Sequence, residues 1–345
     1  MEPIRKKKNK NFVDCDGVLI ESYIEKEIYY VPQQAVRIGS NRTGFMGTGF
    51  IKSGRDIIKQ VVLPETITDI GAHSFSRCEN LEDINFPSKL EWIGVEAFSY
   101  CRKLNAVVLP DSLKKIAHSA FFCCEKISTV KIPQGVSAIQ RNTFSGCKAL
   151  ETVVLHDKIK EIGGSAFINT KIKNICFPLR LKTIGCGAFA NTLLEEIHLP
   201  PKLTKIERNT FSSCKINQII IPENIKSIEA AAFENCKELE NVYIPDLTTV
   251  SDTAFRGCDK VTIYSGKNSH AEEYAKKNGI PFVEVPSLKY VSMVCQKDRV
   301  DLLKYVIDKQ PVPNWLFDFL IEGVVKQNNC PKCNDFLIKQ KSENL

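Results

Sequence analysis

A chain of 345 residues usually makes two or three globular domains, and its formal charge of +7 gathers partly in Arg5, Lys6, Lys7, Lys8 and Lys10, leaving the rest near balance. No stretch approaches the roughly 20 apolar residues of a membrane span, and the basic start runs into Phe12-Val13-Asp14-Cys15-Asp16 rather than an apolar signal-peptide core. Fourteen cysteines without an export signal point to a reducing compartment, so free thiols and a cytoplasmic location are expected.

Residues 1–11 read as a basic tail, followed at 12–56 by an N-terminal cap and a degenerate first repeat. Within that cap, Asp14-x-Asp16-Gly17-Val18-Leu19 resembles the nucleophile motif of haloacid-dehalogenase-type phosphatases. The resemblance implies that Asp14 attacks phosphorus while Asp16 acts as acid and base beside magnesium. Such an enzyme also needs a Rossmann-like sheet, a later lysine and a second acidic pair. The chain leaves no room for them before Val31-Pro32 and Ile38-Gly39 already echo a repeat. A capping hairpin with Gly17 in its turn is the favoured reading. The run Gly44-Phe45-Met46-Gly47-Thr48-Gly49 lacks the strand-to-helix setting and lysine of a phosphate-binding loop, and reads as a plain loop.

From 57 to 260 the chain is a tandem array of nine units. Its marker is a phenylalanine at 75, 98, 121, 144, 167, 189, 211, 233 and 255, spaced by four steps of 23 residues and four of 22. In the unit Leu81–Lys103, Leu81-x-x-Ile84-x-Phe86-Pro87 gives a short strand that Pro87 ends. Leu90-x-x-Ile93-Gly94 supplies a second inward pair, and Ala97-Phe98-x-x-Cys101 about one helical or 3₁₀ turn. Cys78, Cys101, Cys124, Cys147, Cys214, Cys236 and Cys258 lie three residues after a marker, and Thr170 and Thr192 replace them in two units. A position that accepts Cys or Thr wants a small, semi-buried side chain, so a packing ladder of thiols is expected.

The pattern L-x-x-I-x-L-P-x-x-L-x-x-I-G-x-x-A-F-x-x-C resembles the BspA-type (Treponema pallidum-type) leucine-rich repeat family of bacterial and protist proteins, over residues 12 to about 286. The opening Phe12–Tyr23 is similar to the strand pair that often begins those arrays. The resemblance implies a repeat solenoid, a leucine-rich-repeat right-handed superhelix of short strands and short helical turns. It also implies a binding role, often at cell surfaces, with no catalysis by the repeats.

Residues 261–286 read as the solenoid's C-terminal cap, with Val261 and Ile263 in a strand and a helix between Ser269 and Gly279. Beyond Pro286 the period disappears. Leu288, Val291, Val294 and Cys295, then Val300, Leu303, Val306 and Ile307, have helical spacing, and a helical appendage is expected at 287–327. It resembles the ankyrin-like helix pairs appended to some members of that family. Residues 328–345 read as a tail, where Cys330 and Cys333 form only half of a four-ligand zinc site.

No nucleophile–base–acid set appears, the histidines His73, His118, His156, His198 and His270 fall at different repeat phases, and neither metal nor cofactor is expected. A lysine stripe at Lys114, Lys160, Lys182 and Lys226, with Lys115 and Lys205 adjacent, is interrupted by Glu91, Ser137, Thr204 and Thr248 and reads as a solvated face. The outward strand positions are more informative. Val62, Val108, Val154, His198, Ile220 and Tyr243 stack in one column, and Asn174, Gln218 and Asn241 in the companion column. Aliphatics and an aromatic among small polar groups suit a protein partner. A non-enzymatic interaction scaffold binding a protein on this face is therefore expected, with a surface adhesin as the alternative and self-association left open; nucleic acid is disfavoured.

Overall fold

Each turn of the chain contributes two short strands and a tight arc, and the turns stack in parallel into a β-solenoid of about 11 turns. The computed structural model describes residues 10–14, 16–39, 51–297, 299–309, 312–321 and 331–343. Most of the basic tail, the glycine-rich run at 44–49 and Cys330 lie outside the described residues.

Alternation of apolar and polar side chains makes the first strand of each turn, because only one face can be buried. Gln60–Val62 pairs with Asp83–Ile84, Thr129–Lys131 with Thr152–Val154, and Gln218–Ile220 with Asn241–Tyr243, always in register. The second inward pair makes another parallel ladder, in which Ile70, Ile93 and Ile116 are direct neighbours. Ile84, Ile93, Val130, Val153 and Ile219 are all buried, as the alternation requires. The first ladder is interrupted at 105–109 and across 174–178 and 196–200, where no strand forms. At one boundary the Asn85 side chain replaces backbone pairing: it donates to the Leu63 carbonyl at 2.9 Å and accepts the Leu63 N–H at 2.8 Å.

The arc carries the marker. Its i→i+3 bonds, such as Cys101 N–H to the Phe98 carbonyl at 3.1 Å, are those of a 3₁₀ turn. It does not extend into a helix, because the residues two before and two after most markers have left-handed backbones: Glu96 and Tyr100 at φ 51° and 61°, Ser119 and Cys123 at 57° and 56°. The arc's remaining N–H groups point to the next turn instead, and Phe75, Phe98 and Phe121 donate to Ala97, Ala120 and Thr143 at 2.7, 2.8 and 3.0 Å. This orientation places all nine marker rings in one column, centroids 5.2–5.9 Å apart and planes within 19°. The column is the solenoid's core; eight of its rings have no exposed surface.

Both ends are covered. At the start, Lys10–Val13 and Val18–Tyr23 form an antiparallel hairpin with Gly17 (φ 73°) in its turn. At the end, helix α1 (His270–Asn278) is capped by the Ser269 hydroxyl, which accepts the Glu272 N–H at 3.1 Å, and its Tyr274 ring meets Phe255 at 6.0 Å. Among the described residues four more helices follow: α2 (Leu288–Gln296), α3 (Val300–Lys309), α4 (Asn314–Phe319) and α5 (Pro331–Glu343). They gather round a second core that includes Leu288, Val291, Leu303 and Phe317. The expectation of a tail at 328–345 is corrected over α5: Cys333 and Leu337, one helical turn apart, are fully buried in that core.

Candidate interaction surface

The outward positions of the first ladder lie where the alternation puts them, as far along the array as Gln218. Val108 is 82 % exposed and Val154 46 %, while Asn174, Cys176, His198 and Gln218 are exposed and Val62 half-buried. Beside Val108 the absence of a strand at 105–109 leaves a hollow of about 580 Å³, bordered by Ala106, Pro110, Thr129 and Lys131. The open surface is therefore a column of isolated aliphatics set among small polar groups.

The last turns differ, and three expected contact residues must be corrected. Tyr243 is fully buried, Ile220 is half-buried against the second core, and Asn241 is half-buried, accepting the Tyr264 hydroxyl at 3.0 Å. The cause is the chain's own helical appendage, which sits on this end of the face. The Tyr243 hydroxyl accepts the Leu288 N–H at 3.0 Å, at the start of α2, and reaches Glu223 at 3.4 Å. Tyr264, the next outward residue, meets Trp315 of α4 edge to face at 5.2 Å. Burial, the largest influence, pushes the Tyr243 phenol above its ordinary value.

Other candidate groups are committed to local structure. Asp14 Oδ1 accepts the N–H groups of Asp16 at 3.0 Å and Val18 at 2.8 Å, so this carboxylate holds the hairpin turn. His73 lies 3.5 Å from Glu96, and His156 bonds the Pro133 carbonyl at 2.9 Å. In the lysine stripe, Lys114 pairs with Glu91 at 2.7 Å, Lys115 lies over the Trp92 ring at 4.6 Å, and Lys205 pairs with Glu207 at 2.8 Å. Lys160, Lys182 and Lys226 are exposed. Among the described residues no three His, Cys, Asp or Glu side chains are placed to share a metal ion, and no helix is long and apolar enough to cross a membrane.

The cysteine ladder has a bonding role that spacing alone does not disclose. The thiols of Cys101, Cys124, Cys147, Cys214, Cys236 and Cys258 each donate to the carbonyl of the preceding marker phenylalanine, at 3.0–3.2 Å. Thr170 and Thr192 donate instead to the marker of their own turn, each at 2.9 Å. The position selects a small buried donor, which Cys and Thr share. Burial pushes the Cys214 thiol up to about 11 and Cys78 up to about 12.

Comparison with known proteins agrees with this architecture. The model of the BspA type leucine-rich repeat region matches residues 53–172 and 160–277, in six copies. No curated protein matches the chain. A leucine-rich repeat protein from Bacteroides ovatus has a similar solved structure, with 23 % identity and a TM-score of 0.63 over 75 % of this chain and 70 % of that one. The leucine-rich repeat protein of T. pallidum is 23 % identical, with a TM-score of 0.37 over 46 % of this chain and 85 % of that one. Repeat, arc and marker column together place the chain in the BspA-type leucine-rich repeat family.

Proposed function

We propose that the chain is a non-enzymatic scaffold that binds a protein partner on the open turns of its strand face, from Val62 to Gln218. One observation carries this reading. The same register positions that expose Val108 and Val154 are, a few turns later, packed against protein, half-buried at Ile220 and fully buried at Tyr243. The outward column thus already supports packing against helices, and the open turns offer the same positions without a cover. Leucine-rich repeat proteins generally bind proteins, which fits.

A cytoplasmic setting goes with this reading, because six thiols serve as buried hydrogen-bond donors, a role that needs them reduced. The phosphatase alternative is disfavoured by the use of Asp14 in its own turn. The test is capture and crosslinking with the full chain as bait. Val108→Asp combined with Val154→Asp should reduce capture at least tenfold while leaving the melting temperature nearly unchanged. Unaltered capture would exclude this face and move the site to Lys160, Lys182 and Lys226 or to the helices.

A further inference from the structure

Where the open face meets α2, a groove of about 430 Å³ separates helix from solenoid. Ile220, Pro222, Leu288 and Met293 give it aliphatic walls, and its charged lining residues are Glu223 and Lys289. Glu223 accepts the Lys289 backbone N–H at 3.2 Å and the Tyr243 hydroxyl at 3.4 Å, both neutral donors. Although Glu223 is exposed to an incoming group, its carboxyl is pushed above the ordinary range. The water removed by the surrounding protein is the main cause and the nearby Asp246 charge adds to it, while the hydrogen bonds from Lys289 and Tyr243 and the Lys289 charge act against it.

A carboxylate whose hydrogen-bond donors are neutral, with the Lys289 side chain nearby but exposed to solvent, can accept at the end of the aliphatic wall a side chain with an apolar stem and a cationic tip. Lysine and arginine have that form, and the groove is large enough for one of them. It is also continuous with the open face, since Ile220 belongs to both the outward column and the groove wall. We propose that this groove takes a lysine or arginine side chain of the bound protein, with its stem along Ile220, Pro222 and Met293 and its charge at Glu223. This deepens the strand-face reading and rests on it.

Met293 makes a direct test practical, because the chain has only three methionines. With methyl-labelled methionine, butylammonium, the side chain of lysine without its backbone, should shift the Met293 signal saturably. It should bind about tenfold more tightly than butanol, with butyrate weakest. Glu223→Gln keeps an acceptor for Lys289 and Tyr243, and should make ammonium and alcohol equal. Ser292→Trp, which fills the groove, should abolish the shift in a protein that melts normally. An unmoved Met293 signal, or an ammonium preference that survives Glu223→Gln, overturns the proposal. Because the probe reports on the groove alone, its failure with capture still sensitive to Val108 and Val154 removes the groove and leaves the strand face. The opposite pair of results removes the strand face alone.

Discussion

The Cys101 thiol donates to the Phe75 carbonyl, 3.2 Å away on the preceding turn, and that carbonyl also accepts the Cys78 N–H at 3.1 Å. Each thiol thus satisfies the second lone pair of a carbonyl that water cannot reach, as well as filling space in the core. The ladder joins neighbouring turns by side chain to backbone bonds where the arc would otherwise be joined by backbone alone.

This arrangement makes stability sensitive to alkali. Burial raises Cys214 to about 11 in the folded chain, so its contribution is fully present below the unfolded thiol value of roughly 8.5 and is lost as pH climbs toward 11. Between pH 7.5 and 10 the native protein should lose about 2 kcal/mol more than Cys214→Thr does, the replacement having no proton to release there. Urea melts at the two pH values give the difference directly. Equal losses in the two proteins would mean that Cys214 titrates as a free thiol.

In the middle of the column, Phe144 stacks between Phe121 at 5.5 Å and Phe167 at 5.7 Å and has no exposed surface. Turns on both sides hold their rings in place, so neither neighbour can move in to fill a vacancy. Phe144→Ala should therefore cost roughly 3–5 kcal/mol. A denaturant melt within 1 kcal/mol of the native midpoint energy, about the cost of an ordinary surface change, would contradict this placement.

Periodicity made the solenoid legible because burial repeats with it: Ile84, Ile93, Phe98 and Cys101 recur as types as well as positions. The left-handed arc carried a weaker signal. Asn142, Asn169, Asn191, Asn209, Asn235, Gly146, Gly187 and Gly257 are types that tolerate that backbone, but His73, Glu96, Ser119 and Ala231 hold the same positions, so no single type marks it. Tyr243 illustrates a different limit. Alternation assigns it correctly to the outward side, but on the last turns that side faces α2, whose own buried stripe is Leu288, Val291, Val294 and Cys295. The signal was present as two apolar surfaces in one chain, Ile220, Tyr243 and Tyr264 against that stripe. Nothing in the spacing of either stated that they meet.

Left-handed residues other than glycine cost roughly 1–2 kcal/mol each, so the arc should respond oppositely to two substitutions. Ala231 has φ 56°, and Ala231→Gly should raise stability by up to about 1 kcal/mol, the relief being offset in part by the freer unfolded chain. Gly146 has φ 72°, and a β-carbon there would lie 2.9 Å from the Cys123 sulfur. Gly146→Ala should accordingly cost about 1–2 kcal/mol. Thermal melts of the two variants would reject this account of the arc if their shifts had the same sign.

Tyr243 and Val108 occupy equivalent outward positions, yet they should behave differently when replaced by lysine. Val108 is 82 % exposed, so Val108→Lys should stay within about 0.5 kcal/mol of the native stability. Tyr243 has no exposed surface and its hydroxyl accepts the Leu288 N–H, so Tyr243→Lys leaves a buried charge against α2 and removes that acceptor. A loss of roughly 3 kcal/mol or more is expected, concentrated in the helices, because the arcs and ladders beneath keep their own hydrogen bonds. Tyr243→Phe should cost less, about 1–2 kcal/mol, since it retains the ring and loses only the hydroxyl. Amide hydrogen exchange separates the effects by region: the amides of 288–296 should lose protection in Tyr243→Lys while those of the Phe144 turn keep theirs. Unchanged protection over 288–296 would show that α2 does not depend on Tyr243, and the buried end of the strand face would have to be assigned to other contacts.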